Sequence, residues 1–368
     1  MTRNQQLPYS PWREPPSDPH RDGMFVTTGL RRALDEAAAK HLLATPRHGG
    51  AIAQRKAWLV VLWLLTSYFG LVFWAQTWWQ VSFLVLSLAA AATAIGFVIA
   101  HDANHGAMCA SRAGNRAWSC TFDIMGISSY VWRHSHNFDH HGQPNVEGRD
   151  PDIDFGSLAR VSPTRPRRGW HRFQHLYLPV LYGFAYPRWV VFQDFQRVAS
   201  GKISGRSFPR PRGIEALIFA AGKLIFVIWA IVIPAQIHPL ARVLAVGLGC
   251  GYLVGLALAL VVSLGHGVEG VAFASQPIRS ADDWYAHQIR ASADFATESR
   301  ALTWFTGGLN HQITHHLYPR ISHVHHRALA PRLAQVYAQH GLARTHYPSF
   351  LAALAAHIRH LRDLGTRD

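Results

Sequence analysis

Charged side chains are scarce in this 368-residue chain: Asp, Glu, Lys and Arg together make up 15%, where about 25% is usual for a soluble protein. Hydrophobic residues reach 49%, so the deficit argues against a soluble globular protein and for one embedded in a membrane. Cysteine is nearly absent as well. Cys109, Cys120 and Cys250 are odd in number and form no C-x-x-C pair, which excludes a disulfide framework and fits reduced thiols facing a cytoplasm. Acids are the scarcer charge, 21 against 36 Lys and Arg, leaving a net +15. No nucleic-acid motif accompanies that excess, and the basic residues flank apolar stretches, so an anionic membrane surface is the partner it fits. No apolar run precedes residue 57, so a cleavable signal peptide is not expected.

Histidine is abundant: 24 imidazoles outnumber the 21 carboxylates, and they are clustered. Arg133 to Gly142 carries His136, His140 and His141; upstream stand His101 and His105, and downstream Gln312, His315 and His316. On a helix, residues three or four apart share a face, so each cluster can aim several imidazoles into one space. Neutral and buried, such rings would lack partners; charged, they would repel. A bound metal resolves both problems.

Four apolar stretches, near 57–78, 81–100, 214–234 and 240–265, have the length of about 20 residues needed to cross a bilayer as helix. Short links join them pairwise through Thr77 to Gln80 and Gln236 to Pro239, so two helical hairpins are expected, with Trp78 and Trp79 at an interface. Arg47, Arg55 and Lys56 precede the first span and Arg206, Arg210 and Arg212 the third, while neither link holds a Lys or Arg. The positive-inside rule therefore puts both termini and the 101–213 loop in the cytoplasm, in the sense of a bacterial inner membrane. Every histidine cluster then falls on one side. The expected division is a disordered tail at 1–27, a cytoplasmic or interfacial helix within 28–56 (Leu30, Leu34, Ala38, Leu42), hairpins at 57–100 and 214–265, and cytoplasmic segments at 101–213 and 266–368. The aromatic run at 170–195, broken by Pro179, Gly183 and Pro187, suits an interfacial helix pair, and Lys223 inside the third span should face protein or a cavity. The fold class is all-α: four transmembrane helices in two hairpins, capped by a cytoplasmic helical domain carrying the histidine-rich site.

His101, His105, His136, His140, His141, His266, Gln312, His315 and His316 are too many ligands for one tetrahedral zinc. Two ions with four or five ligands each fit the count, and imidazole-rich ligation suits iron and O2 chemistry. The residue pattern describes a membrane di-metal oxidase. Asp102, Asp139, Asp150, Asp152, Asp154 and Glu269, with Asn310 and His311, are the groups available to orient the ligands.

His101-Asp-Ala-Asn-His105-Gly, His136-x-x-x-His140-His141 and Gln312-x-x-His315-His316 also resemble the three histidine boxes of membrane-bound fatty acyl desaturases. The Gln opening the third box resembles the front-end, linoleoyl-CoA-desaturase-like branch. The likeness runs from about residue 55 to 345 and includes Trp132-Arg-His134, Asn145, Asp150-Pro-Asp152, Arg172 to His175 and Gly308-Leu-Asn310. It implies two irons that activate O2, an acyl chain in a tunnel between the spans, and hydrogen removal from adjacent carbons. His266 matches an extra histidine of such enzymes; Gln312 would ligate directly, through water, or by orienting a neighbour. His48-Gly-Gly50 lacks the proline of a fused haem domain, so electrons are expected from a separate protein, a small acidic ferredoxin-type donor with its reductase. The third box departs from the pattern at His311, where an aromatic is usual. The substrate could be carried by CoA, by acyl carrier protein or by a lipid. An acetylenase or hydroxylase on the same scaffold, and a non-enzymatic zinc-binding membrane protein, are the alternatives. Ligands gathered at span ends count against the last.

Overall fold

The computed structural model describes residues 29–43 and 45–367, without the side chains of Ala281 and Asp282. The expected tail at 1–27 lies outside the described residues. Among the described residues, four helices are long and apolar enough to cross a membrane: Gly50–Trp74, Trp78–Asn104, Ile214–Ala235 and Leu240–His266. The first begins seven residues before the apolar run at 57, because its polar opening turns have partners. Gln54 donates to the Met108 carbonyl at 3.1 Å, and Lys56 is buried. The second continues past 100 to include His101. Thr77 starts it with a reciprocal cap, its hydroxyl accepting from the Gln80 N–H while Gln80 reaches back.

The remaining described chain is mostly helical, apart from two minimal strand pairs. Lys202–Ile203 runs antiparallel to Arg206–Ser207, and Ala293–Phe295 lies parallel to Thr345–Tyr347. Strands of two or three residues leave no alternation to read, so the all-helical expectation passed over them. Helix Leu30–Leu42 forms as its apolar spacing predicts, but its stripe is not offered to lipid. Leu30, Leu34 and Ala38 are fully buried against Trp284, Ile289, Leu329 and Leu333. The run from Gly169 to Ser200 is a succession of helical turns rather than two separate helices. It keeps Leu176, Val180, Val191 and Phe192 exposed.

Lys223, within the third span, is a packing contact. Its ammonium donates to the carbonyls of Gly126 (2.6 Å) and Val190 (3.1 Å) and to the Asp194 carboxylate (2.8 Å). Asp194 is fully buried and also accepts from the Ser128 N–H and the Trp189 indole. Removing one partner of such a pair strands a buried charge, which costs about 3–5 kcal/mol. Thermal unfolding in detergent should show that loss for Lys223→Met, and part of it should be recovered in Lys223→Met/Asp194→Leu. Equal melts for wild type and the single variant would refute the assignment.

Candidate metal centre

Each cluster sits where a helix ends or widens. Helix Trp78–Ala94 opens into a π-turn at Ile95–Ala100 immediately before His101, and His105 closes the element. The second cluster lies on another π-turn, His134–His140, closed by His141 N–H donating to His136 O at 2.9 Å. A regular α-helix would turn His141 away from His136. The wider turn places His140 and His141 on either side of it, with Nε2 of His136 and His141 3.1 Å apart. His266 is the last residue of the fourth span, and Gln312–Leu317 is a short buried helix carrying the third cluster. Gly307 and Gly308 deliver that helix with φ of +58° and +70°. A Cβ on Gly307 would collide with the Phe97 carbonyl, so only glycine lets the third cluster approach the second span so closely.

Eight of the nine sequence-derived ligands fall into two groups, and a third set of His136, His140 and Asp152 overlaps both. His101, His105, His136, His141 and His315 bring their ring nitrogens within 4.8 Å of one another, and so do His140, His266 and His316. Gln312 lies beside the second, its amide Nε2 donating to His266 Nε2 at 2.9 Å while its Oε1 has no partner among the described residues. The adjacent His140 and His141 thus serve different groups. His141 and His316 stack at 4.3 Å where the groups meet.

Several of these donor atoms have no hydrogen-bond partner among the described residues: buried His101 Nδ1, His105 Nε2, His140 Nε2, His141 Nδ1, His316 Nε2 and Gln312 Oε1. His141 Nε2 lies 3.1 Å from both His136 Nε2 and His315 Nε2, and one proton cannot satisfy three nitrogens. Burying that many polar atoms unpaired is costly, and a histidine cluster of this kind is compatible with a metal site. The all-imidazole set with one amide oxygen fits iron or zinc.

The second group has its far nitrogens fixed. His140 Nδ1 is 3.0 Å from Asp150, His266 Nδ1 donates to the Ala291 carbonyl at 2.9 Å, and His316 Nδ1 donates to Gln288 Oε1 at 2.9 Å. That leaves Nε2 of His140 and His316 without a partner among the described residues, while Nε2 of His266 meets the Gln312 amide. Asp150 also accepts from the N–H groups of Asn145 and Asp152. Burial, then neighbouring imidazoles, hold His136, His141, His315 and His316 well below the ordinary histidine value, so they are neutral and able to ligate. His140 goes the other way: burial opposes its charge, but the Asp150 and Asp152 carboxylates outweigh it and raise the imidazole to about 9.

The other groups expected to orient ligands are engaged elsewhere. Asp102 bonds His323 and Ser322, Asp139 pairs with Arg206, Asp154 with Arg165, and Glu269 with Arg359 at the surface. Asn310 donates to Thr303 and Ala296, and His311 Nε2 is 3.5 Å from Thr303. Their sequence positions beside a ligand put them on the wrong face of its helix or in the loop beyond. Asp152 is closer to the expectation, 3.5 Å from His140 Nδ1. Gln288 and the Ala291 carbonyl carry no motif, so sequence reasoning missed both.

One small cavity touches the centre at His266, and a larger one lies between the spans toward the links at 75–77 and 236–239. The small one, about 40 Å³, is walled mostly by apolar side chains such as Ile153, Phe155 and Leu361, with Asp150, Asp152 and His266 on one side. The larger one, apolar and about 310 Å³, is lined by residues including Leu88, Ala92, Met125, Phe226, Trp229 and Val254.

The same chain is similar to proteins of known activity. It is 31% identical over 349 residues to the sn-1 linoleoyl-lipid 6-desaturase of Synechocystis sp., covering 92% of this chain and 96% of that one. The sn-1 linoleoyl-lipid 6-desaturase of Arthrospira platensis is 29% identical over 343 residues, covering 91% and 92%. The acyl-lipid (8-3)-desaturase of Physcomitrium patens is 32% identical over 304 residues, 81% of this chain and 63% of that one. The profile of fatty acid desaturases matches residues 76–348. With four apolar helices and a histidine-rich centre beneath that match, the chain belongs to the fatty acid desaturase family, in its front-end branch, and is an integral membrane oxidoreductase.

Proposed function

We propose that this desaturase acts on an acyl chain esterified to a membrane lipid, with two irons, O2 and electrons from a separate acidic carrier. The observation that carries the reading is the partition of the proposed ligands into two groups, five imidazoles in one and three with Gln312 in the other. Two bound irons would supply the O2 reduction and the oxidising power for hydrogen removal. The chain supplies the rest. Asp150, Ala291 and Gln288 hold the tautomers of His140, His266 and His316, so that Nε2 faces the ion. Burial of the imidazoles keeps bulk water from the centre. The apolar cavity of about 310 Å³ between the spans suits the methyl end of an acyl chain.

Lipid-linked substrate is favoured over the thioesters because the two relatives matched along nearly their whole length are named for lipid-linked chains. The spans pair as two hairpins with the histidine boxes and both termini cytoplasmic, a topology supported by the placement of Lys and Arg. The exposed apolar side chains of the Gly169 to Ser200 run would then lie in the headgroup region.

Gas chromatography–mass spectrometry tests the reading. Cells co-expressing a ferredoxin and its reductase with wild type or His141→Ala are compared, with lipid, thioester and free pools analysed apart. A new double bond in the lipid pool, seen only with wild type, is expected. A new species confined to thioesters would overturn the lipid-linked assignment, and a hydroxylated or alkynyl chain would overturn the reaction.

A further inference from the structure

Lys56 has no place in the centre as described, yet its ammonium is buried and aimed at an imidazole. Lys56 Nζ lies 3.0 Å from His323 Nε2, and His323 Nδ1 lies 2.7 Å from the Asp102 carboxylate. Lys56, Asp102, Ser322 and His323 are all buried. An ammonium can only donate, so His323 accepts from Lys56 and its Nδ1–H donates to Asp102. The same carboxylate oxygen accepts from the Ser322 hydroxyl (2.8 Å) and the His323 N–H (3.1 Å). The loop is pinned from the other side by Ser322 N–H donating to Arg47 O at 2.7 Å.

Three distant pieces of chain meet here: the opening of the first span, the end of the second beside His101, and the segment that follows the third histidine cluster. A buried charge needs partners on every side, and methionine would fill the same space without that requirement. What the charged version adds is geometry. Asp102 cannot shift without breaking three hydrogen bonds to residues 322 and 323, so His101 and the chain leading back to His315 are held to each other. Those rings stand 4.6 Å apart within the five-histidine group. The three-histidine group is oriented by Asp150, Ala291 and Gln288 instead.

Building on the two-ion reading, we propose that His323, held between Lys56 and Asp102, is a positioning residue for the five-histidine group alone. Without it, that group loses its ion while the His140–His266–His316 group keeps its own. This lies outside the three histidine boxes and reaches the centre through Asp102.

The test is iron retention by the full-length protein in detergent after loading with ferrous iron and a mild chelator challenge, read by elemental analysis and Mössbauer spectroscopy. Wild type should retain about two irons per chain and His323→Ala about one, a loss in the range expected when a group orienting a ligand is removed. One of two ferrous components should vanish from the spectrum. His323→Asn, which keeps a donor for Asp102, should restore retention; His323→Gln, whose amide is displaced from it, should not. The amide pair decides the matter if the alanine variant fails to fold. Full retention in His323→Ala and His323→Gln, or equal loss of both components, would overturn the proposal. Wild type that retains fewer than two irons would sink the two-ion reading itself, and this inference with it.

Discussion

His316→Ala is expected to lower turnover at least about 100-fold, beyond the loss caused by removing a group that only orients a ligand. The protein should stay in the membrane, because the four spans that carry insertion are untouched. The size of the effect follows from the unequal groups. His316 is one of only three imidazoles in its group, with Gln312 hydrogen-bonded to His266 beside them. Its loss leaves too few ligands to hold an ion firmly at neutral pH. It also frees Gln288 Oε1, which now accepts from His316 Nδ1. His315→Ala should cost turnover comparably by opening the five-histidine group. Acyl-chain analysis beside elemental analysis checks both, with His316→Ala losing one of two irons. Retained turnover in either variant would remove these residues from the ligand set.

Those histidines were legible because ligand chemistry leaves a local signature: three imidazole clusters at short spacing, each beside an apolar stretch or a polar loop. The spans were legible for the same kind of reason, since about 20 apolar residues in a row match the hydrocarbon thickness of a bilayer. The division of labour was not. A 3.6-residue period keeps His136 and His140 together and leaves His141 apart, whereas the π-turn sends His140 to one group and His141 to the other. A single widened turn is set by tertiary packing, and the one-dimensional pattern does not record it. Orienting groups fared similarly. Asp150, ten residues from His140, stood in an acidic motif and was found, while Asp102, next to His101, points away toward His323. Sequence adjacency to a ligand is a poor guide because neighbours on a helix face different ways. Gln288 reaches His316 from a separate helix, a contact that exists only after folding.

Asp150→Asn is expected to weaken iron retention or turnover about 10- to 100-fold, the range for losing the partner of a metal-bound imidazole. The carboxylate accepts from His140 Nδ1, the Asn145 N–H at 2.8 Å and the Asp152 N–H at 2.9 Å. An amide cannot accept through both of its heavy atoms, so one of these donors loses its partner. The substitution also changes how the metal-free protein responds to pH. His140 in the folded chain is raised from 6.5 to about 9. A group whose pKa is higher folded than unfolded stabilises fully below the unfolded value and loses that contribution as pH climbs through the folded one. Metal-free wild type should therefore lose stability between about pH 6.5 and 9 from this pair, and iron binding in that window should release a proton from His140. In Asp150→Asn both effects should shrink, because one of the two carboxylate charges that held the proton is gone and only Asp152 remains. Thermal melts of the chelated protein and proton release on iron addition, each taken across the window, measure them. Weakened iron retention with an unchanged pH slope would make Asp150 a packing residue for the Asn145 loop; the two effects arising together would tie its charge to the His140 proton.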